Sequence, residues 1–252
     1  LEPRRLATRA AARRMAHILG ERVGGTVGYV TRGDRQVSRR TRVEVVTEGV
    51  LTRRLQRDPE MADTAAVIFD EVHERNLQTD LGLALALDVR DTIRPDLRLV
   101  VMSATVSAVA IADHLGIGAP AAIVESAARS HPIDMHWTPV KKGVYMEAHT
   151  AHVVQRALRS HDGDMLVFLP GMAEIRRVEQ ALREADVAAQ VRILHGSLPV
   201  EQQDLALAAS FPGERKVVLA TDIAETSLTV EGVRIVVDTG RAKSPRFDPR
   251  TG

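Results

Sequence analysis

At 252 residues and 44% hydrophobic content the chain is long enough for one or two domains with real cores, and 3% aromatics makes those cores aliphatic. The lack of cysteine excludes disulfides and cysteine-ligated zinc, and no apolar run nears the roughly 20 residues of a membrane-spanning helix, which leaves a cytoplasmic setting as the expectation. The net charge of +1 is unevenly placed: residues 1–57 carry fourteen arginines, no lysine and five acids, so they stand at +9 against −8 for the remainder, which fits either a phosphate-rich partner or a solvated helix face.

Glu2-Pro3-Arg4-Arg5 opens the chain and leads into an Ala/Arg-rich helix expected over Leu6–Leu19. Arginines beside the free amides of a helix start can grip phosphate; an amphipathic surface helix accounts for them equally well. A strand over Val43–Val46 runs into Thr47-Glu48-Gly49 and a helix over Gly49–Gln56. Thr47 either caps that helix or offers its hydroxyl to a phosphate.

Next comes the strand Ala66–Phe69, which ends in Asp70-Glu71-Val72-His73. A carboxylate at a strand end can hold Mg2+, and its neighbour can deprotonate an attacking water. The alternative is a surface turn with exposed ion pairs from Glu74 and Arg75. No His-Glu-x-x-His surrounds His73, so a zinc protease is excluded. A helix over Asp80–Val89 precedes the strand Leu97–Met102, which ends in Ser103-Ala104-Thr105. Those hydroxyls can relay a movement through hydrogen bonds, or Thr105 and Ser107 can simply cap the helix expected over Ala108–Leu115.

The pattern breaks over Glu125–Pro132 and then restarts, which predicts two domains, 1–128 and 129–252. Helices follow over Tyr145–Ser160, Ala173–Ala185 and Pro199–Phe211, with strands at Met165–Leu169, Val191–Leu194, Lys216–Ala220 and Val233–Val237. The loop Thr221-Asp222-Ile223-Ala224-Glu225-Thr226-Ser227-Leu228-Thr229-Val230-Glu231 is denser in hydroxyls and acids than a mere connection requires. Continuous apolar strands alternating with helices predict an α/β fold whose mainly parallel sheets are covered on both faces. Polar signatures then gather beyond the carboxyl ends of the strands, where such folds carry their chemistry. Missing is a Gly-x-x-x-x-Gly-Lys-Ser/Thr loop for phosphates; Gly240-Arg241-Ala242-Lys243-Ser244 has one glycine and follows the acidic strand, so it does not qualify.

Taken in order, Glu-Pro-Arg-Arg-Leu-Ala at 2–7, Thr-Glu-Gly-Val-Leu at 47–51, Asp-Glu-Val-His-Glu-Arg at 70–75, Ser-Ala-Thr at 103–105, Val-Phe-Leu-Pro-Gly at 167–171 and Ala-Thr-Asp-Ile-Ala-Glu-Thr-Ser-Leu-Thr at 220–229 resemble the DEAH-box (DExH) branch of superfamily 2 helicases. The ending Arg246-Phe247-Asp248-Pro249-Arg250-Thr251-Gly252 is similar to the bacterial HrpB type. The resemblance implies two RecA-like domains, ATP and Mg2+ as cofactors, and RNA or another single-stranded nucleic acid as partner. It implies that Asp70 holds Mg2+, Glu71 activates water and His73 couples the two activities. It further implies that Ser103 and Thr105 link hydrolysis to movement, that Arg4, Arg5, Thr47 and Thr221 touch the nucleic-acid backbone, and that Ser227, Thr229 and Glu231 face the nucleotide. Asp222 stands where the family usually has Asn. The expectation is an internal piece of a longer helicase, inactive alone without a phosphate loop and an arginine-finger motif. A nucleic-acid-binding module without ATPase activity and a nucleotide-dependent scaffold are the other function classes, and Asp70-Glu71 argues against the first.

Overall fold

The computed structural model describes residues 1–2, 4–104, 108–126, 131–224 and 230–243. They form two compact units, Leu1–His131 and Pro132–Gly252. The expected boundary at 128/129 lies outside the described residues.

The first unit starts with α1 (Arg5–Ile18), whose Leu6, Thr8, Arg9, Ala12 and Ala16 recur at helical spacing and turn inward. Small alanines let α1 lie close to Val27, Tyr29 and Val45. Those residues come from β1 (Val27–Thr31) and β3 (Val43–Val46), which pair in parallel, while β2 (Asp34–Gln36) adds an antiparallel edge to β1. Gly28 is needed there, because a Cβ would come within 2.4 Å of the Gln36 carbonyl oxygen. The β1–β2 hairpin has no counterpart in the sequence-based expectation.

After α2 (Glu48–Arg57) come β4 (Ala66–Phe69), α3 (Leu77–Thr92), β5 (Arg98–Val101) and α4 (Ala108–Leu115). β4 and β5 pair in parallel, Phe69 opposite Val101. Leu51 and Leu55 of α2 and Ala86 and Val89 of α3 share one core with Val67 and Phe69. Coverage on both faces does not hold here: Ile68, Val100 and Met102 stay 43–45% exposed. The strand alternates instead of being buried throughout, since α2 and α3 pack against the face that carries Val67 and Phe69. Residues 1–2 stitch the two small sheets together. Glu2 bridges in parallel to Thr47, and Leu1 exchanges backbone bonds with Ile68 and Asp70.

The second unit holds α5 (Met146–Ser160), β6 (Asp164–Phe168), α6 (Met172–Glu184), β7 (Gln190–Leu194), α7 (Val200–Leu207), β8 (Lys216–Ala220) and β9 (Val233–Asp238). Its sheet is wholly parallel, in the order β7-β8-β6-β9. β8 is buried along its whole length, as an interior parallel strand should be. Val154 and Ile175, Val178 and Leu182 join Met165, Val167, Val217 and Leu219 in its core. Because all four strands run the same way, Leu169, His195, Thr221 and Thr239 fall along one edge, each just beyond a strand end.

Candidate active site

In the first unit the polar groups gather where β4 and β5 end. Asp70 follows Phe69 directly, and its Oδ1 accepts from the Glu71 amide at 2.8 Å. The chain then turns back along β5, with the Val72 amide donating to the Met102 carbonyl at 3.3 Å. Making that turn puts Glu71 at φ 54° and Arg75 at φ 49°, the left-handed region that costs a non-glycine residue about 1–2 kcal/mol. Strain of this kind persists where the surroundings over-determine it, and it clusters at working sites.

His73 joins the two strand ends. Its Nε2 lies 3.2 Å from Glu71 Oε2, and its Nδ1 accepts a long bond, 3.4 Å, from the Ala104 amide. Since an amide can only donate, Nδ1 has no proton and Nε2 carries the one facing Glu71. The imidazole therefore links the second carboxylate of Asp70-Glu71 to the backbone of Ser103-Ala104. Ser103 sits beside this contact; Thr105 lies outside the described residues.

The acids form a group of three. Glu2 is 8% exposed, lies beside the Asp70 carboxyl, and has a buried Oε2 with no hydrogen-bond partner. Burial first, and then the charge of Asp70, push its carboxyl up to about 7. Glu71 is raised too, by burial first and then by Asp70, with His73 opposing the shift. A raised carboxyl moves toward the pKa a general base needs near neutral pH. The acidic role of Glu2 was missed in the sequence, where it reads only as the residue before Pro3-Arg4-Arg5.

The Glu2–Thr47 bridge sets two helix starts side by side. Arg4 is the residue before α1 and Arg5 its exposed first residue, while Thr47 precedes α2. Neither helix start has a side-chain cap, so the capping role considered for Thr47 is not taken. Adjacent helix starts with arginines on one of them present amides and cations together, which suits phosphate. A cavity of about 530 Å³ lies elsewhere, between the β1–β2 turn and the last turns of α2, lined by Arg32, Arg53, Arg54 and Arg57 against Asp58 and Asp63.

In the second unit Thr221 sits at the end of β8, only 8% exposed. Glu231 is separated from it. It precedes β9 and acts on Lys216 at the start of β8, so it occupies the opposite edge of the sheet, roughly 15 Å from Thr221 at strand rise. Ser227 and Thr229 lie outside the described residues. Among the described residues no group of three or more His, Cys, Asp or Glu has a metal-holding arrangement.

Residues 148–248 match the model of the helicase conserved C-terminal domain. Along its whole length the chain is 47% identical to the ATP-dependent RNA helicase HrpB of Escherichia coli K12, covering 31% of that protein. It is 37% identical to the pre-mRNA-splicing factor ATP-dependent RNA helicase prp22 of Schizosaccharomyces pombe, covering 22% of it. Among solved structures it resembles the Escherichia coli DEAH/RHA helicase HrpB with a TM-score of 0.87 at 46% identity, over 100% of this chain and 32% of that one. A second structure, the Escherichia coli DExH-box NTPase HrpB, matches with a TM-score of 0.75 at 46% identity, over 100% of this chain and 31% of that one. The chain thus spans about a third or less of the proteins it matches. By sequence and by fold it is similar to the DEAH/RHA helicases of the HrpB type.

Proposed function

We propose that this chain contributes the water-activating and RNA-gripping core of an ATP-dependent RNA helicase. The observation that carries the proposal is the contact from Glu71 through His73 to Ala104, at 3.2 and 3.4 Å, built on the ends of two paired strands. A carboxylate held by an imidazole beside a second strand end is suited both to take a proton and to report the event elsewhere.

The acidic group fits a hydrated magnesium ion. Mg2+ keeps several waters and needs only one or two carboxylates besides the substrate phosphates. Asp70 is the ligand in this reading, and the buried oxygen of Glu2 beside it has no hydrogen-bond partner. ATP with Mg2+ supplies the phosphoryl group and its charge neutralisation when bound. Glu71 orients and deprotonates water. His73 keeps the Glu71 carboxylate aimed by donating from Nε2. The sequence holds no lysine-bearing phosphate loop, so no residue here is assigned to the triphosphate itself.

The RNA-facing part of the proposal rests on Arg4, Arg5 and Thr47 at the paired helix starts. Contacts to phosphate carry no sequence information, which suits a motor that moves along any strand. Both named relatives are RNA helicases, which supports RNA as the strand. The test is ATP turnover by the full-length protein that contains this chain, with and without single-stranded RNA. The reading expects turnover that RNA stimulates; a protein that binds RNA but never hydrolyses ATP would leave a binding module.

A further inference from the structure

Glu48 is 7% exposed, yet it carries a carboxyl group. It occupies the first turn of α2, immediately after Thr47. Its Oε1 accepts from Asn76 Nδ2 at 2.6 Å and from the Thr79 hydroxyl. Asn76 follows the Asp70–Arg75 loop and immediately precedes α3. Its own Oδ1 accepts from the amides of Gln78 and Thr79 at 2.8 and 3.4 Å. One carboxylate oxygen therefore ties the turn after β3 to the loop after β4, across 28 and 31 residues of sequence.

Packing alone does not ask for this arrangement. A buried carboxyl is costly unless it is fully paired, and an apolar side chain would fill the same space at less expense. The bond geometry also has a direction. Movement of the α2 start pulls on the Asn76 amide, and Asn76 fixes where α3 begins. Arg75, just before it, is one of the two residues of the Asp70–Arg75 loop held at positive φ, and Glu71 is the other. A strained loop tied at its far end to the Glu48 carboxylate can pass a displacement of the α2 start on to Glu71.

We propose that Glu48 is a positioning residue that couples the strand-binding turn at Thr47 to the Asp70–Arg75 loop. This rests on the proposed function above. Phosphate settling on the start of α2 shifts Glu48, Glu48 draws Asn76, and Asn76 resets the backbone that aims Glu71. Coupling of this kind is reciprocal, so a nucleotide held at the loop changes RNA affinity by the same factor.

The experiment uses the full-length protein. ATP turnover is measured with and without single-stranded RNA, and RNA affinity with and without a non-hydrolysable ATP analogue. Asn76→Asp keeps an oxygen for the α3 amides but turns the donor facing Glu48 into a like charge. Thr79→Val removes only the hydroxyl, and Glu48→Gln keeps the accepting oxygen. The expectation for Asn76→Asp is a loss of about 5-fold or more in RNA stimulation, the ratio of turnover with RNA to turnover without it, in the range typical of coupled sites, at an unchanged thermal midpoint. The effect of the analogue on RNA affinity shrinks as well. Thr79→Val goes the same way more weakly, and Glu48→Gln retains stimulation. Unaltered stimulation in Asn76→Asp overturns the inference. So does a parallel fall of stimulated turnover, unstimulated turnover and thermal midpoint, because that is plain structural damage. A wild-type protein with no RNA-stimulated turnover is a separate result and sinks the proposed function instead.

Discussion

His73 presents its protonated Nε2 to Glu71 at 3.2 Å while its other ring nitrogen accepts from the backbone that follows β5. In the proposed function the two residues divide the work: the carboxylate is assigned the proton chemistry, and the imidazole is assigned to hold it and read it out.

That division separates two variants of the full-length protein. Glu71→Gln removes the base and leaves the space filled. Hydrolysis should fall by about 10²–10⁴-fold, the usual worth of a general base, while ATP binding stays near wild type. His73→Ala leaves the base but frees it. Hydrolysis without RNA should fall less than in Glu71→Gln, and strand separation per ATP should fall more. Single-turnover hydrolysis with a parallel unwinding assay distinguishes them; equal loss of both activities in both variants would end the assignment.

Arg4 and Arg5 are argued as phosphate contacts. Replacing both with Ala should weaken RNA binding for every sequence alike and make its salt dependence shallower, by about one in log–log slope for each phosphate no longer gripped. Binding isotherms across a salt series decide the matter. A slope and affinity equal to wild type would return these arginines to an ordinary helix surface.

Buried charge sets the stability of the second unit. Asp164 and Lys216 are each 5% exposed at the side chain and 4.0 Å apart. Asp164 also accepts from the Ser210 hydroxyl at 2.7 Å and the Lys216 amide at 2.9 Å. Burial holds the Lys216 ammonium below its ordinary 10.5, with Asp164 and then Glu231 opposing. Asp164→Ala should cost about 3–5 kcal/mol at neutral pH, because it strands a buried cation. The lysine then titrates lower still in the folded protein. Between that value and 10.5 the unfolded chain binds more protons, so stability climbs with pH. The deficit against wild type should shrink from pH 7 to pH 10 in denaturant unfolding. A deficit that stays flat or grows would show that the lysine is not the strained partner.

Two glycines should respond oppositely to alanine. Gly82 lies within α3, where a Cβ would meet Phe69, Thr52 and Leu51 at 3.6, 3.8 and 3.9 Å, ordinary contact. Gly82→Ala should stabilise by about 0.5–1 kcal/mol through lost freedom in the unfolded chain. Gly232 has φ +85°, and a Cβ there would come within 2.6 Å of Asp164 Oδ2. Gly232→Ala should destabilise. Thermal midpoints of the two variants, moving apart from wild type, are the check.

Much of this architecture can be read from residue order. Val43–Val46, Ala66–Phe69 and Lys216–Ala220 are strands with the expected ends, and α4 spans the expected Ala108–Leu115. Apolar runs bounded by polar turns carry that much information. The β1–β2 hairpin escaped because Gly28, Arg32, Gly33, Asp34 and Arg35 interrupt its apolar pattern, and its tight approach at Gly28 is a long-range fact. Whether Ala66–Phe69 is covered on one face or two is likewise invisible, since an apolar run of four residues reads the same either way. Within the site, Asp70, Glu71 and His73 were legible from spacing and family likeness. Glu2 and Glu48 were not, because burial and partners 28 to 68 residues away define what those acids do.

The strand order β7-β8-β6-β9 also governs when the second unit can form. β6 leaves the ribosome first, yet its neighbours in the sheet are the last two strands made. Phe168 pairs with Ala220 and with Asp238, so the strand has no neighbour on either side until about 52 further residues are added, and only one until about 70 are. At synthesis rates of roughly 5–20 residues per second, that is several seconds with an apolar strand unpaired on both sides. The nascent unit therefore completes its sheet only after β9 has emerged, and ribosome stalling between β6 and β8 exposes a chain with an apolar strand open to aggregation or a chaperone.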